Sequence, residues 1–253
     1  MSEMLEFLKK HQQDIEETLI RLVTSESPSS NKQLVDQCGE VLMKEFKRLV
    51  ANDIVKIEKE VVGDQYLFTY GKGDETEQIL IIGHFDTVWN KGAVPLKRSG
   101  DILSGPGVFD MKGGLTITLW ALHCLKQLNV TGNRKVIFLA TTDEEIGSEH
   151  SRGLILEEAK KSSIVLVPES SIGPGGAVKT ERKGAGRFTL EIEGVSAHAG
   201  INAWDGASAI DELAFQILDL KKLADRGKGI SINIGVVNRS EEHTSELQSP
   251  LDI

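Results

Sequence analysis

His84 and Asp86 stand two residues apart in the run Ile82-Gly83-His84-Phe85-Asp86-Thr87-Val88. On an extended chain that spacing sends both side chains to the same side. A neutral imidazole there could bind zinc, with the carboxylate fixing its tautomer. The plainer alternative is a His and an Asp that bond backbone at a strand end. A further acid, Asp110, comes from the glycine-rich run Ser104-Gly105-Pro106-Gly107-Val108-Phe109-Asp110-Met111-Lys112-Gly113-Gly114, where glycines let backbone crowd close to a site. It resembles a phosphate loop only superficially, because no Gly-Lys-Ser or Gly-Lys-Thr closes it, and nucleotide binding is not expected. Asp143, Glu144 and Glu145 are three consecutive acids. Clustered anions raise one another's pKa unless a cation compensates, so a metal ion is the economical explanation and a solvated acidic turn the alternative. Glu169, in Val167-Pro168-Glu169-Ser170, is a lone carboxylate and weak by itself. Together these residues make the nitrogen-and-oxygen donor set that catalytic zinc accepts.

Those side chains need strand ends to carry them. Residues 79–82, 136–140 and 164–167 are short, continuously apolar runs, which predicts strands buried on both faces of a largely parallel sheet. His84, Glu144, Glu145 and Glu169 follow such runs, where open α/β sheets bind their ligands. Leu115, Leu119, Leu122, Leu125 and Leu128 predict a buried helix over 111–128. Leu5, Leu8, Ile15, Leu19 and Leu22 predict one amphipathic helical face, and Val35, Cys38, Leu42, Phe46 and Leu49 a second. After about residue 178 the pattern changes: Phe188, Leu190 and Ile192 alternate with polar residues, as in a strand with one wet face. A helix N-capped by Asp205 and a strand over 230–237 are expected to follow. The fold class is therefore α/β, with a first domain over 1–179 and a smaller α+β domain over 180–238.

The bulk composition agrees with a folded enzyme. The chain has 253 residues, 40% hydrophobic and 26% charged, enough for a sizeable core. The formal net charge of −9, with no Lys/Arg cluster, argues against nucleic-acid binding. No segment is apolar enough to span a bilayer and the N-terminus has no signal-peptide core, so a cytoplasmic location is expected. Cys38 and Cys124 are the only cysteines, and their spacing suits packing rather than a disulfide or a thiolate zinc site.

The order of the motifs resembles the di-zinc peptidase family that includes glutamate carboxypeptidase, aminoacylase, acetylornithine deacetylase and succinyl-diaminopimelate desuccinylase. The resemblance runs over about residues 4–237, and residues 89–92 lean toward the glutamate carboxypeptidase branch. It implies a zinc-exopeptidase-like catalytic domain and a ferredoxin-like lid. It implies two zinc ions, replaceable by cobalt or manganese, with Asp110 bridging them, His84 and Glu169 completing one site and Glu145 binding the other. Glu144 would be the general base and Asp86 would steady His84. Ser196-Ala197-His198-Ala199-Gly200 is similar to the family's lid motif, which implies His198 as the residue at the scissile carbonyl; Arg182 and Lys183 match the family's hinge-side segment, and Arg182 is expected with His198 at the substrate. The implied activity is hydrolysis of a peptide or N-acyl amino acid amide bond, glutamate carboxypeptidase-like first and N-acyl deacylase second, in a homodimer formed through the lid. A non-catalytic scaffold is the rival reading, and the intact Glu144 argues against it.

The resemblance stops short of the family's last metal-binding histidine. Residues 239–249 resemble a translated sequencing adapter, so 239–253 are expected to be an artefactual tail. His243, within it, is not taken as a ligand. A chain so truncated is expected to hold zinc weakly and to turn over little substrate.

Overall fold

A computed structural model describes residues 3–51, 53–73, 77–130, 132–173, 175–198 and 200–238. The expected tail at 239–253, with His243, lies outside the described residues. The chain falls into two compact units, Met1–Thr180 and Glu181–Ile253.

In the first unit, helices α1 (Glu3–Lys10), α2 (Gln12–Thr24) and α3 (Lys32–Leu49) precede the sheet. The single N-terminal helical face expected from Leu5 to Leu22 is split, because the chain leaves helical geometry at His11 (φ −101°, ψ 19°). Leu22 is fully buried on α2, whereas Leu5 on α1 stays 43% exposed. Helix α3 forms as its periodicity predicts. Asn31 accepts from Leu34 N at its start, and Val35, Cys38, Leu42, Phe46 and Leu49 are all buried.

Strands β1 (Ile54–Ile57), β2 (Gln65–Tyr70), β3 (Gln78–His84), β6 (Val136–Thr141) and β7 (Ser162–Leu166) form one sheet in the order β1-β2-β6-β3-β7. The hairpin β4 (Lys97–Ser99) and β5 (Ile102–Ser104) stands apart from it. β3 runs parallel to both β6 and β7, with His84 opposite Thr141. β2 is antiparallel to β6 and to β1. Helix α4 (Gly113–Gln127) joins α2 and α3 on one face, where Phe46, Phe68, Phe138, Leu115 and Leu119 make the main core. Helix α5 (Arg152–Lys160) covers the other through Leu154 and Ile155, packed on Leu80, Ile137 and Leu139. Apolar layers on both faces explain the uninterrupted hydrophobic runs of β3 and β6.

β7 departs from the expectation of burial on both faces. Ile164, Val165, Leu166 and Val167 are 43–54% exposed. The reason is position: among the described residues β7 is the edge of the sheet and pairs with β3 alone.

The second unit holds a short 3₁₀ turn (Ala203–Asp205) and helix α6 (Ala209–Lys221). The helix is capped by Ser208, whose hydroxyl accepts from Asp211 N at 3.1 Å, and not by the expected Asp205, which closes the preceding turn. Residues 188–192 and 230–237 form no strand ladder. Among the described residues of this unit pairing is limited to the isolated bridges Val195↔Ala207 and Asp225↔Ile230. Alternation supplies an apolar face but no neighbour for the backbone groups, and Phe188 is 94% exposed.

Candidate metal centre

The C-terminal ends of the parallel strands deliver the acids and the imidazole. His84 is the last residue of β3, with Asp86 two positions on. Glu144 and Glu145 follow β6, and Glu169 follows β7. Asp110 arrives differently, from an irregular π-type turn (Val108–Lys112) directly before α4. Gly107 starts that turn with a left-handed φ of 72°, where a Cβ would lie 2.9 Å from Thr87 Cγ2 and 3.3 Å from Lys112 Cδ. Only glycine serves there without strain.

The imidazole of His84 is at the centre. Its side chain is 2% exposed, and Nε2 lies 3.1 Å from Asp110 Oδ1, 3.6 Å from Glu169 Oε1 and 3.8 Å from Glu144 Oε2. Donor atoms of His84, Asp110 and Glu145 lie within 4.8 Å of one another. On the other side of the ring, Nδ1 is 3.2 Å from the backbone oxygen of Asp86 and 3.3 Å from its Oδ1. The second contact is an electrostatic approach without hydrogen-bond geometry, because Oδ1 has no hydrogen-bond partner although Asp86 is fully buried. Its other oxygen, Oδ2, accepts from Ser29 Oγ at 2.8 Å and from Glu145 N at 3.3 Å.

Asp143 leaves the group. The expected cluster of three consecutive acids is divided, because Asp143 Oδ2 turns away to accept from His150 N at 2.7 Å and Ser151 N at 3.1 Å. Backbone amides satisfy its charge, and no cation is needed for it.

The remaining charges are unbalanced. Burial by itself would lower the pKa of His84, but the carboxylates of Asp86 and Glu169 beside its ring and the charge of Glu144 push it up to about 11. Burial raises Glu144 and Glu145 above the usual carboxylate range. Neighbouring carboxylates add to that rise, and His84 opposes it. Both directions have one origin, a single imidazolium set among several carboxylates. A divalent ion would supply the missing positive charge, and the donor set of one imidazole and several carboxylates suits zinc, cobalt or manganese.

Residues 80–235 match the model of Peptidase family M20/M25/M40. The chain belongs to this family. Carboxypeptidase G2 of Pseudomonas sp. (strain RS-16) is 32% identical over 220 residues, covering 85% of this chain and 53% of that protein. Acetylornithine deacetylase of Buchnera aphidicola is 27% identical over 226 residues, covering 86% and 55%. The chain thus spans about half the length of the curated relatives it matches. Among solved structures, a tripeptidase from Staphylococcus aureus superposes with a TM-score of 0.60 and aminopeptidase PepT from Bacillus cereus with 0.58. Each is 20% identical and covers 83% of this chain, and 56% and 57% of the neighbour. At that identity they establish the shared fold, an α/β unit with a mixed sheet between helices.

Several residues around this candidate site were not expected from the sequence. Met111 Sδ accepts from His84 N at 3.2 Å. Lys112 is fully exposed to neither solvent nor carboxylate: it is 0% exposed, and Nζ donates to the carbonyls of Leu22 at 3.0 Å and Ser25 at 2.9 Å. Burial pushes its pKa below the ordinary lysine range. Gly114 lies so close to the carbonyl of Pro168 that a Cβ would collide with it, which lets the segment carrying Glu169 close onto α4. A visible sign was a lysine followed by two glycines at the start of an apolar helix. Trp89, Val108, Phe109, Asp110 and Glu145 help line an open cavity of ≈ 310 Å³. Arg182 and His198 belong to the second unit, both exposed. There His198 N donates to Asn202 Oδ1 at 2.9 Å and Nδ1 accepts from Gly200 N at 3.1 Å.

Proposed function

We propose that the parent protein hydrolyses the amide bond of a peptide or N-acyl amino acid, with His84, Asp110, Glu145 and Glu169 holding two divalent ions, zinc first, and that the 253-residue chain itself turns over little substrate. The supporting observation is the approach of His84, Asp110 and Glu145 donor atoms to within 4.8 Å, with Glu144 and Glu169 at the same imidazole. Asp110 is assigned to both ions, His84 and Glu169 to one, Glu145 to the other. When bound, such a pair lowers the pKa of water from about 15.7 toward roughly 7 and polarises the scissile carbonyl.

The chain's own groups do the rest. Glu144 is half-exposed and its pKa is raised, which brings a carboxylate closer to the working pH of a proton shuttle. It takes a proton from the attacking water and returns it to the leaving amine. Asp86 keeps the Nδ1 side of His84 engaged, so that Nε2 stays free for the metal. The cavity beside Trp89 and Phe109 gives the substrate an apolar wall next to the acids. Arg182 and His198 are assigned to the substrate, His198 to the carbonyl oxygen, in a cytoplasmic homodimer.

The likeness to carboxypeptidase G2 supports a carboxypeptidase over a deacylase, and the resemblance at residues 89–92 to the glutamate carboxypeptidase branch makes a C-terminal glutamate the first choice of substrate. Side-by-side hydrolysis of N-acyl glutamates and N-acetylornithine by zinc-loaded protein separates the two. The Glu144→Gln variant should lose about 10²–10⁴-fold in turnover while keeping its zinc. Unchanged turnover in that variant rules out the base assignment, and the absence of any Glu144-dependent hydrolysis in the parent protein favours a scaffold.

A further inference from the structure

Lys112 and Ser29 touch no candidate metal-binding atom, yet a continuous set of hydrogen bonds connects them to the two loops that carry His84 and Asp110. Lys112 sits two residues after Asp110 in the same turn and is wholly buried. Its ammonium is spent on the C-terminus of α2, where Leu22 O and Ser25 O are carbonyls that a helix end leaves without internal partners. The negative end of the helix stabilises the charge, and no carboxylate within salt-bridge distance does so among the described residues. The Asp110 turn is thereby tied to the last turn of α2.

The chain leaving α2 is tied in turn to the loop after β3. Ser27 O accepts from Thr87 N at 2.9 Å, and Ser29 N donates to Thr87 O at 3.0 Å. Ser27 Oγ donates to Phe85 O. Ser29 Oγ donates to Asp86 Oδ2 at 2.8 Å, on the carboxylate whose other oxygen faces His84. Residues 25–29 therefore lie as a strap between the two ligand-bearing loops, held by Lys112 at one end and by Ser29 at the other.

We infer that Lys112 and Ser29 are positioning residues which, through this strap, fix the spacing between His84 and Asp110 and so set metal affinity without touching the metal. The inference rests on the metal reading given above. A neutral side chain at 112 would take the donor from one buried and one part-buried carbonyl and free the Asp110 turn to drift from His84. An alanine at 29 would leave Asp86 with one fewer donor and let the imidazole rotate. Ligands placed by such outer partners bind metal tightly, and loss of one partner weakens affinity by about 10–100-fold.

The test is the zinc dissociation constant of the chain and of Lys112→Met, Ser29→Ala and the double variant, by competition with a chromophoric chelator, beside thermal unfolding of each metal-free protein. The expected result is a constant about tenfold or more weaker in each single variant, with the double variant weaker by less than the product, because both act through one strap. A variant whose metal-free unfolding midpoint falls while its zinc constant stays within twofold of the parent overturns the inference, since a merely structural role moves only the first. Ser29→Ala decides alone where Lys112→Met does not fold: an unchanged constant refutes the strap. Failure of the parent chain to bind zinc removes the metal reading and the strap with it, whereas a tight parent with equally tight variants removes the strap only.

Discussion

A carboxylate surrounded by cations behaves in the opposite way to those around His84, and Asp64 is the example. It accepts from Lys32 Nζ at 2.7 Å and Lys59 N at 2.9 Å, and lies 2.9 Å from Lys56 Nζ. Burial alone would raise its pKa, but these donors outweigh burial and hold it at about 2, against 3.8 unperturbed. A depressed folded-state value stabilises the fold above the unfolded pKa, and that stability is lost as pH falls through the folded one. The window is therefore about pH 4 down to about pH 2, and the contribution roughly 2 kcal/mol. Urea unfolding of the parent and Asp64→Asn between pH 2 and 5 should give curves that converge at the acid end; parallel curves would contradict the assignment. Acids were legible in the sequence as letters, but their fates were not. Asp143 and Glu144 are adjacent, yet Asp143 is consumed by the amides of His150 and Ser151, contacts made by a turn in which Ser148 adopts a left-handed φ of 58°. Nor did composition suggest that Lys112 would be buried, because its partners are backbone carbonyls about ninety positions earlier in the chain.

Where an element is set by its own periodicity, it was readable. Helix α3 buries the stripe its spacing prescribes, and Phe46 on that stripe packs against Phe68 of β2 with the rings tilted and their centroids 4.5 Å apart. Phe46→Ala should cost about 3–5 kcal/mol by chemical denaturation. Ile117→Ala, on the 65%-exposed side of α4, should stay within about 0.5 kcal/mol. Equal losses at the two positions would mean that the core does not sit between α3, α4 and the sheet. Elements set by partners were less readable. Residues 188–192 alternate like a strand, but a strand exists only when another accepts its hydrogen bonds, and no ladder forms there. The π-type turn before α4 was read as helix from residue 111, since leucine spacing cannot see that Asp110 and Met111 leave helical angles.

Across the whole molecule, burial is unevenly shared. Among the described residues the first unit contains every buried hydrophobic residue, and none in the second is buried. Amide hydrogen exchange should follow that division: slowest in β3 and β6 at the centre of the sheet, and fast over 181–238, including α6. Protection in α6 equal to that in β3 would show a second core. None of the described helices is long and apolar enough to cross a membrane. The margin of the sheet has its own practical outcome. β7 presents Val165 and its neighbours to water beside a row of backbone groups that no strand adjoins among the described residues, so molecules meeting there can add to one another's sheets. Solubility of the purified chain then depends on how concentrated it becomes, and a lysine introduced on that rim would act as a gatekeeper against precipitation.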